Sequence, residues 1–173
     1  LPVSLNASLE PEMLTLMHKM ANRKMVCLDI KPAHFMRERR GALRCIDFGS
    51  YWCRRRLPGK IRCGKKSRRV MVIFMAAQVC LHTIIYSKET VFIAWLHRAL
   101  RNHPEAWDEA REVYTHSFVN PIPTTYFNKS GEYIWNNLTS LLRDSELSDG
   151  NIVAPNGKPL TRTELQFLIT GDV

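Results

Sequence analysis

Asp29-Ile30-Lys31-Pro32-Ala33-His34-Phe35 and Cys45-Ile46-Asp47-Phe48-Gly49 are the two strings that decide how this 173-residue chain is read. Between them, Phe35-Met36-Arg37 leads into Arg40-Gly41, a turn signal, and Ala42-Leu43-Arg44-Cys45-Ile46 follows as an alternating apolar run. That pattern predicts a short β-hairpin joining the strings. Upstream, Met13, Leu14, Met17, Met20 and Ala21 recur at helical spacing, with Ser8 expected as the cap and Pro11 in the first turn. Methionines at this spacing are core residues. The helix is expected to feed a strand from Met25 to Leu28, which runs straight into the first string.

Residues with this chemistry suit phosphoryl transfer, which needs a base for the acceptor hydroxyl, a metal on the phosphates and positive charge near the moving oxygens. Asp29 supplies a proton acceptor, and Lys31 a charge for the transferring group. Asp47 offers oxygen ligands to Mg²⁺, and Gly49 permits the turn that aims them. An unrelated hairpin with two surface aspartates is the alternative.

An Asp-x-Lys-Pro loop followed by Asp-Phe-Gly at this separation resembles the catalytic and metal-binding loops of a protein kinase. The resemblance covers residues 9 to 118 and fades after Gly49. It implies a mainly α fold with a small β-hairpin, a kinase-like C-terminal lobe without the N-terminal lobe. It makes Asp29 and Lys31 the catalytic pair, Asp47 and His34 the metal positions, and Phe48 and Gly49 part of a nucleotide site, with Mg and ATP as cofactors if the chain is active. The pattern Asp-Ile-Lys-Pro-x-x-Phe with Ile-Asp-Phe-Gly-x-x-Trp-Cys looks most like divergent kinase-like proteins of large DNA viruses.

Departures from the family pattern are specific. Cys27 and Leu28 stand where His-Arg usually precedes the catalytic Asp, which removes the pairing site for a phosphorylated activation loop. His34 replaces an asparagine ligand, and imidazole is a poor donor for hard Mg²⁺. No Ala-Pro-Glu closes the activation segment. Arg68 and Arg69 lie where an aspartate would open the central helix and brace the catalytic loop. The Gly-rich loop and its partner lysine do not occur among these residues.

Two function classes follow. In the first, a non-catalytic or weakly catalytic kinase-like protein, a pseudokinase, acts as an interaction or structural component and docks on a kinase, an acidic protein or a larger assembly. In the second, a Ser/Thr protein kinase has its N-terminal lobe outside this sequence or on a partner chain.

The charge pattern adds a third class. Nine basic residues (Arg54, Arg55, Arg56, Lys60, Arg62, Lys65, Lys66, Arg68 and Arg69) fall between 54 and 69 with no acid among them, equal in size to the net charge of +9. This is where a kinase carries its activation segment. Such a run serves as a docking surface for an acidic protein or for nucleic-acid phosphates, and equally reads as a solvated loop. Trp52 precedes the run and no aromatic lies inside it, which argues against base stacking. A polyanion-binding module is therefore the weaker alternative.

A single domain over 1–173 is expected, with the two loops in 25–53, the basic segment in 54–69 and helices over 70–173. Val70 to Tyr86 is the most apolar stretch; at seventeen residues it predicts a buried core helix rather than a membrane span. Five cysteines (Cys27, Cys45, Cys53, Cys63, Cys80) without CxxC spacing predict no disulfide framework and no structural zinc. No secretion signal opens the chain. The expected location is cytoplasmic or virion-associated, and the N-glycosylation patterns at Asn6, Asn128 and Asn137 read as caps and helix-surface positions. Further helices are expected from Ser87 to Leu100, from Pro104, around Ile134–Leu142, and after a Thr161/Glu164 capping box. Trp95, Trp107 and Trp135 are expected to pack in the core, Asn120-Pro121-Ile122-Pro123 to form a rigid connector, and Asn156-Gly157 a tight turn.

Overall fold

Helix α1 (Glu10–Asn22) opens with Glu10, Pro11 and Glu12, two acids near its positive end and a proline where no N–H is needed. In the computed structural model, which describes residues 6–27, 30–31, 35–45, 51–53, 67–87, 89–117 and 129–171, the described chain is mainly helical with small antiparallel strand pairs. It gathers into two compact units, Leu1–Phe92 and Ile93–Val173. The N-cap of α1 is Leu9, without a side-chain cap, and not Ser8. A 3₁₀ turn (Ala7–Leu9) precedes the helix, and the Ser8 hydroxyl and backbone N–H both donate to Asn6 Oδ1. Asn6 takes over the local capping role and ties Ser8 up before the helix begins.

Met13, Met17 and Ala21 form the buried face of α1, with Leu14 and Met20 half-buried at its margins. This face packs on α2 (Arg68–Tyr86). From Val70 to Ile85 every residue of α2 except the half-buried His82 is buried. A helix apolar on all sides belongs in an interior. Among the described residues α2 is the one helix long and apolar enough to cross a membrane, and it is mostly buried within the protein. The two helices run antiparallel. Asn22 at the end of α1 meets Arg68 at the start of α2, 3.2 Å apart, and Glu10 at the start of α1 lies close enough to Cys80 to act on its thiol.

Four short strands complete this unit: β1 (Met25–Cys27), β2 (Phe35–Arg37), β3 (Leu43–Cys45) and β4 (Tyr51–Cys53). The predicted hairpin is β2–β3, with Phe35 opposite Cys45, Met36 opposite Arg44 and Arg37 opposite Leu43. Its alternation is physical: Phe35 and Leu43 lie on one face and are buried, while Arg44 on the other is exposed. The tip closes through Gly41 N–H donating to Glu38 O at 2.9 Å, with Gly41 at φ +91°, a conformation that a side chain would strain. Strand β4 was not expected; it pairs with β1, Cys27 opposite Tyr51 and Met25 opposite Cys53.

The unit ends in a turn that overrides a local signal. Ser87 is the C-cap of α2 and not the start of the next helix, its N–H donating to Thr83 O at 3.0 Å. Val91 N–H donates to Thr83 Oγ1 at 3.3 Å, and Phe92 N–H to Glu10 Oε1 at 2.7 Å. Phe92 holds φ +69°, so helical geometry begins only after it.

The second unit contains α3 (Ile93–Asn102), α4 (Pro104–Ser117), α5 (Gly131–Asp144), the strand pair β5 (Glu146–Ser148) and β6 (Asn151–Val153), and α6 (Arg162–Thr170). Helix α5 packs on α3, α4 and α6. Its fully buried Trp135 stacks at a tilt against Trp107 and Tyr114 of α4, ring centroids 5.0 and 5.1 Å apart. Trp107 Nε1 donates to Thr139 Oγ1 at 2.9 Å, so this indole carries its polar edge to a partner. Trp95, expected in the core, is half-buried. Asn137 is not a simple surface residue: its Nδ2 donates to Ile169 O at 2.8 Å and ties down the end of α6. The capping box at Thr161 and Glu164 forms in full, and Gly171 closes α6 in the left-handed region. Gly157 likewise sits at φ +82° in its expected turn, where Ala154 O accepts its N–H. The Pro121–Pro123 connector and Asn128 lie outside the described residues.

Candidate functional site

Strands β1 to β4 are nested. The chain leaves β1 at Cys27, passes through 28–34, enters the β2–β3 hairpin at Phe35, leaves it at Cys45 and rejoins β1 as β4 at Tyr51. Paired residues in antiparallel ladders have Cα atoms about 4.5–5.5 Å apart. The described residues on either side of 28–34 and 46–50 are therefore paired with each other, Cys27 with Tyr51 and Phe35 with Cys45. The first segment carries Asp29, Lys31 and His34; the second carries Asp47, Phe48 and Gly49.

Of these six residues, Lys31 is described: it is half-buried and follows Ile30, which is 2% exposed and roots the segment in the core. Asp29, His34, Asp47, Phe48 and Gly49 lie outside the described residues. So do Arg54, Arg55, Arg56, Lys60, Arg62, Lys65 and Lys66 of the basic run. Its last two members, Arg68 and Arg69, are exposed in the first turn of α2. Ser67 Oγ caps that turn by accepting from Val70 N–H at 3.2 Å, and no acid accompanies the two cations. Arg68 turns to α1, where its Nη1 donates to Asn22 Oδ1.

Electrostatics divide the chain sharply. Residues 1–92 contain 18 Lys or Arg against 6 Asp or Glu, and residues 93–173 contain 7 against 10, a balance of +12 and −3. Within the first unit, Glu12 pairs with Arg37 at 3.3 Å and Glu38 with Arg44 at 2.7 Å. Glu10 accepts from Phe92 N–H. Burial, and then the Arg68 guanidinium, hold the His18 imidazole below its ordinary pKa. Its Nδ1 is buried and makes no hydrogen bond. Burial, and then Glu10, push the Cys80 thiol far up, so it is an inert core group. Cys45 is half-buried. Among the described residues no group of three or more His, Cys, Asp or Glu could hold a metal ion.

Sequence reasoning missed Lys19 and Arg23, exposed residues that share the end of α1 with Asn22, the partner of Arg68. The contact spans 46 positions and has no local signature. It also missed β4, for which Tyr51-Trp52-Cys53, two aromatics beside the second string, was an available cue. The chain matches no protein-family model, no curated protein and no solved structure.

Proposed function

We propose that this chain is a divergent kinase-like C-terminal lobe that serves as an interaction or structural component, transferring phosphate weakly or not at all by itself. The observation that carries the reading is the nested pairing of β1 with β4 around β2–β3. Phosphoryl transfer demands that a base and a metal carboxylate converge, and the reading is supported by the pairing of the residues that flank the two strings, Cys27 with Tyr51 and Phe35 with Cys45. Two features support weak output. His34 supplies imidazole where a hard metal prefers oxygen. The first turn of α2 carries Arg68 and Arg69 in place of a bracing acid, and Arg68 bonds to Asn22.

Thermal unfolding with ATP, with and without Mg²⁺ or Mn²⁺, tests this reading. A ligand that binds only the folded state raises Tm. For a chain of this size, ATP at a hundredfold its Kd gives a rise of about 5–10 °C. The proposal expects no metal-dependent rise at millimolar ATP. A rise that disappears in Asp47→Ala overturns it in favour of an active Ser/Thr kinase. In that case Asp29→Ala and Asp47→Ala each abolish transfer, and His34→Asn increases the Mg²⁺-dependent rate.

A further inference from the structure

The antiparallel packing of α1 on α2 sorts charge along their shared axis. Glu10 and Glu12 lie at one end, where Phe92 N–H and Arg37 take them up. Lys19, Arg23, Arg68 and Arg69, all exposed, gather at the other. Asn22 is twelve residues from Glu10, so the two ends are about 18 Å apart along the helix. The acids cannot neutralise the cations at close range, because this separation exceeds the Debye length of about 8 Å at physiological salt.

We propose that this corner of the first unit, formed by Lys19 and Arg23 of α1 and Arg68 and Arg69 of α2, binds the phosphate backbone of duplex nucleic acid without reading its sequence. Three observations carry the inference. First, a balance of +12 in 92 residues exceeds the magnitude of about 2–8 that serves solubility in a small domain. Second, Arg68 and Arg69 sit at the positive end of α2, where cations are disfavoured, so folding alone does not select them. Third, among the described residues the corner has charge and no exposed apolar anchor. The exposed large hydrophobic residues are Tyr86, Tyr133, Phe167 and Leu168 among those described. Tyr86 lies at the opposite end of α2, about 27 Å away by helical rise, and the other three belong to the second unit. Protein interfaces draw their energy from buried aromatic and apolar anchors. Phosphate-backbone binding needs none of these, only cations and counterion release. The inference does not depend on the kinase-like reading, since a chain with no nucleotide site behaves identically here.

Fluorescence anisotropy of a labelled random-sequence duplex, titrated with the whole chain at several salt concentrations, tests it. Four phosphates neutralised give a log–log salt slope of about −3.6, so affinity falls by at least roughly a hundredfold from about 50 to about 200 mM salt. Replacing both Arg23→Glu and Arg69→Glu flattens the slope by about two. Arg98→Glu, an exposed cation on α3, leaves it unchanged. Lys19→Gln, a mild exchange on an exposed turn, flattens it by about one and keeps the test valid should the double variant fail to fold. The proposal is overturned by absence of binding at low salt, or by corner variants that bind with the parent slope. It is equally overturned if polyglutamate competes as well as duplex at equal charge, the behaviour of a site for acidic protein.

Discussion

Compare the starts of two helices, one in each unit. Helix α6 begins with Thr161 and Glu164, which cap each other's backbone and place an acid at the positive end. Helix α2 begins with a cap of the same kind, Ser67, and then puts Arg68 and Arg69 where an acid belongs. The first is what a sequence selected for folding writes. The second accepts a local penalty, about 0.3–1 kcal/mol for each cation near a helix N-terminus, and offsets it by burying nearly the whole length of α2. Local choices that contradict the fold concentrate where a surface has another task. The second unit is locally consistent almost throughout: Ser130 caps α5, Glu132 and Arg143 sit at its favourable ends, and Gly171 closes α6. The first unit is consistent in the hairpin, starts α1 without a side-chain cap and breaks its own rules at α2.

The strongest way to break this comparison is to empty each core in turn. Phe74→Ala in α2 and Trp135→Ala in α5 each remove a fully buried ring, and each is expected to cost about 3–5 kcal/mol in urea unfolding. If each lowers only one of two transitions, the units are independent cooperative blocks. A single transition lowered equally by both merges them into one.

Removing the α6 cap acts on a smaller scale. Thr161→Ala is expected to cost about 1 kcal/mol. Hydrogen bonds from the Thr161 backbone and side chain hold the Glu164 carboxyl below its ordinary pKa of 4.5. That contribution is complete above 4.5 and is lost as pH falls through the depressed folded value. Urea unfolding at neutral and acid pH should show the parent losing stability on acidification faster than Thr161→Ala. Parallel losses would show that the Thr161 side chain contributes nothing to the depression, leaving it to the backbone N–H of residue 161.

The smallest effect is the most pointed. Arg69→Glu puts an acid at the positive end of α2 and is expected to raise stability by about 0.3–1 kcal/mol, read as an increased urea midpoint at unchanged slope. Stabilisation there, combined with lost duplex binding, would mark Arg69 as a residue kept for something other than the fold. A loss of stability would return it to a structural role.

Much of the architecture was legible because its causes are local. Arg40-Gly41 between two alternating runs gave the hairpin, Pro104 gave the start of α4, and Thr161 with Glu164 gave α6. Asp149-Gly150, both at positive φ between β5 and β6, is an equally local signal and was overlooked. The start of α3 was misplaced for a different reason. Ser87 is a plausible cap by type, and what displaces it is a bond between Phe92 and Glu10, far upstream. Ser8 failed similarly on a smaller scale, outcompeted by Asn6. In the candidate site, sequence supplied residue types and spacing, while the nesting of β1 with β4 depends on pairing across an intervening hairpin. Lys19 and Arg23 joined the basic corner only through helix packing, which periodicity in either helix does not reveal.

The bond from Phe92 N–H to Glu10 also bears on the order in which the chain folds. It closes a loop of 82 residues, against 8 for the neighbouring bond from Val91 to Thr83. By the logarithmic dependence of loop entropy on length, the longer closure costs about 2 kcal/mol more. Helix α1 is complete when residue 22 is made, yet Phe92, which bonds to its first residue, is made seventy residues later. At typical synthesis rates that is a wait of roughly 4–14 s. Helix α2 is complete only at residue 86, so for most of that interval the Met13, Met17 and Ala21 face lacks its full cover and is an exposed apolar stripe on the nascent unit.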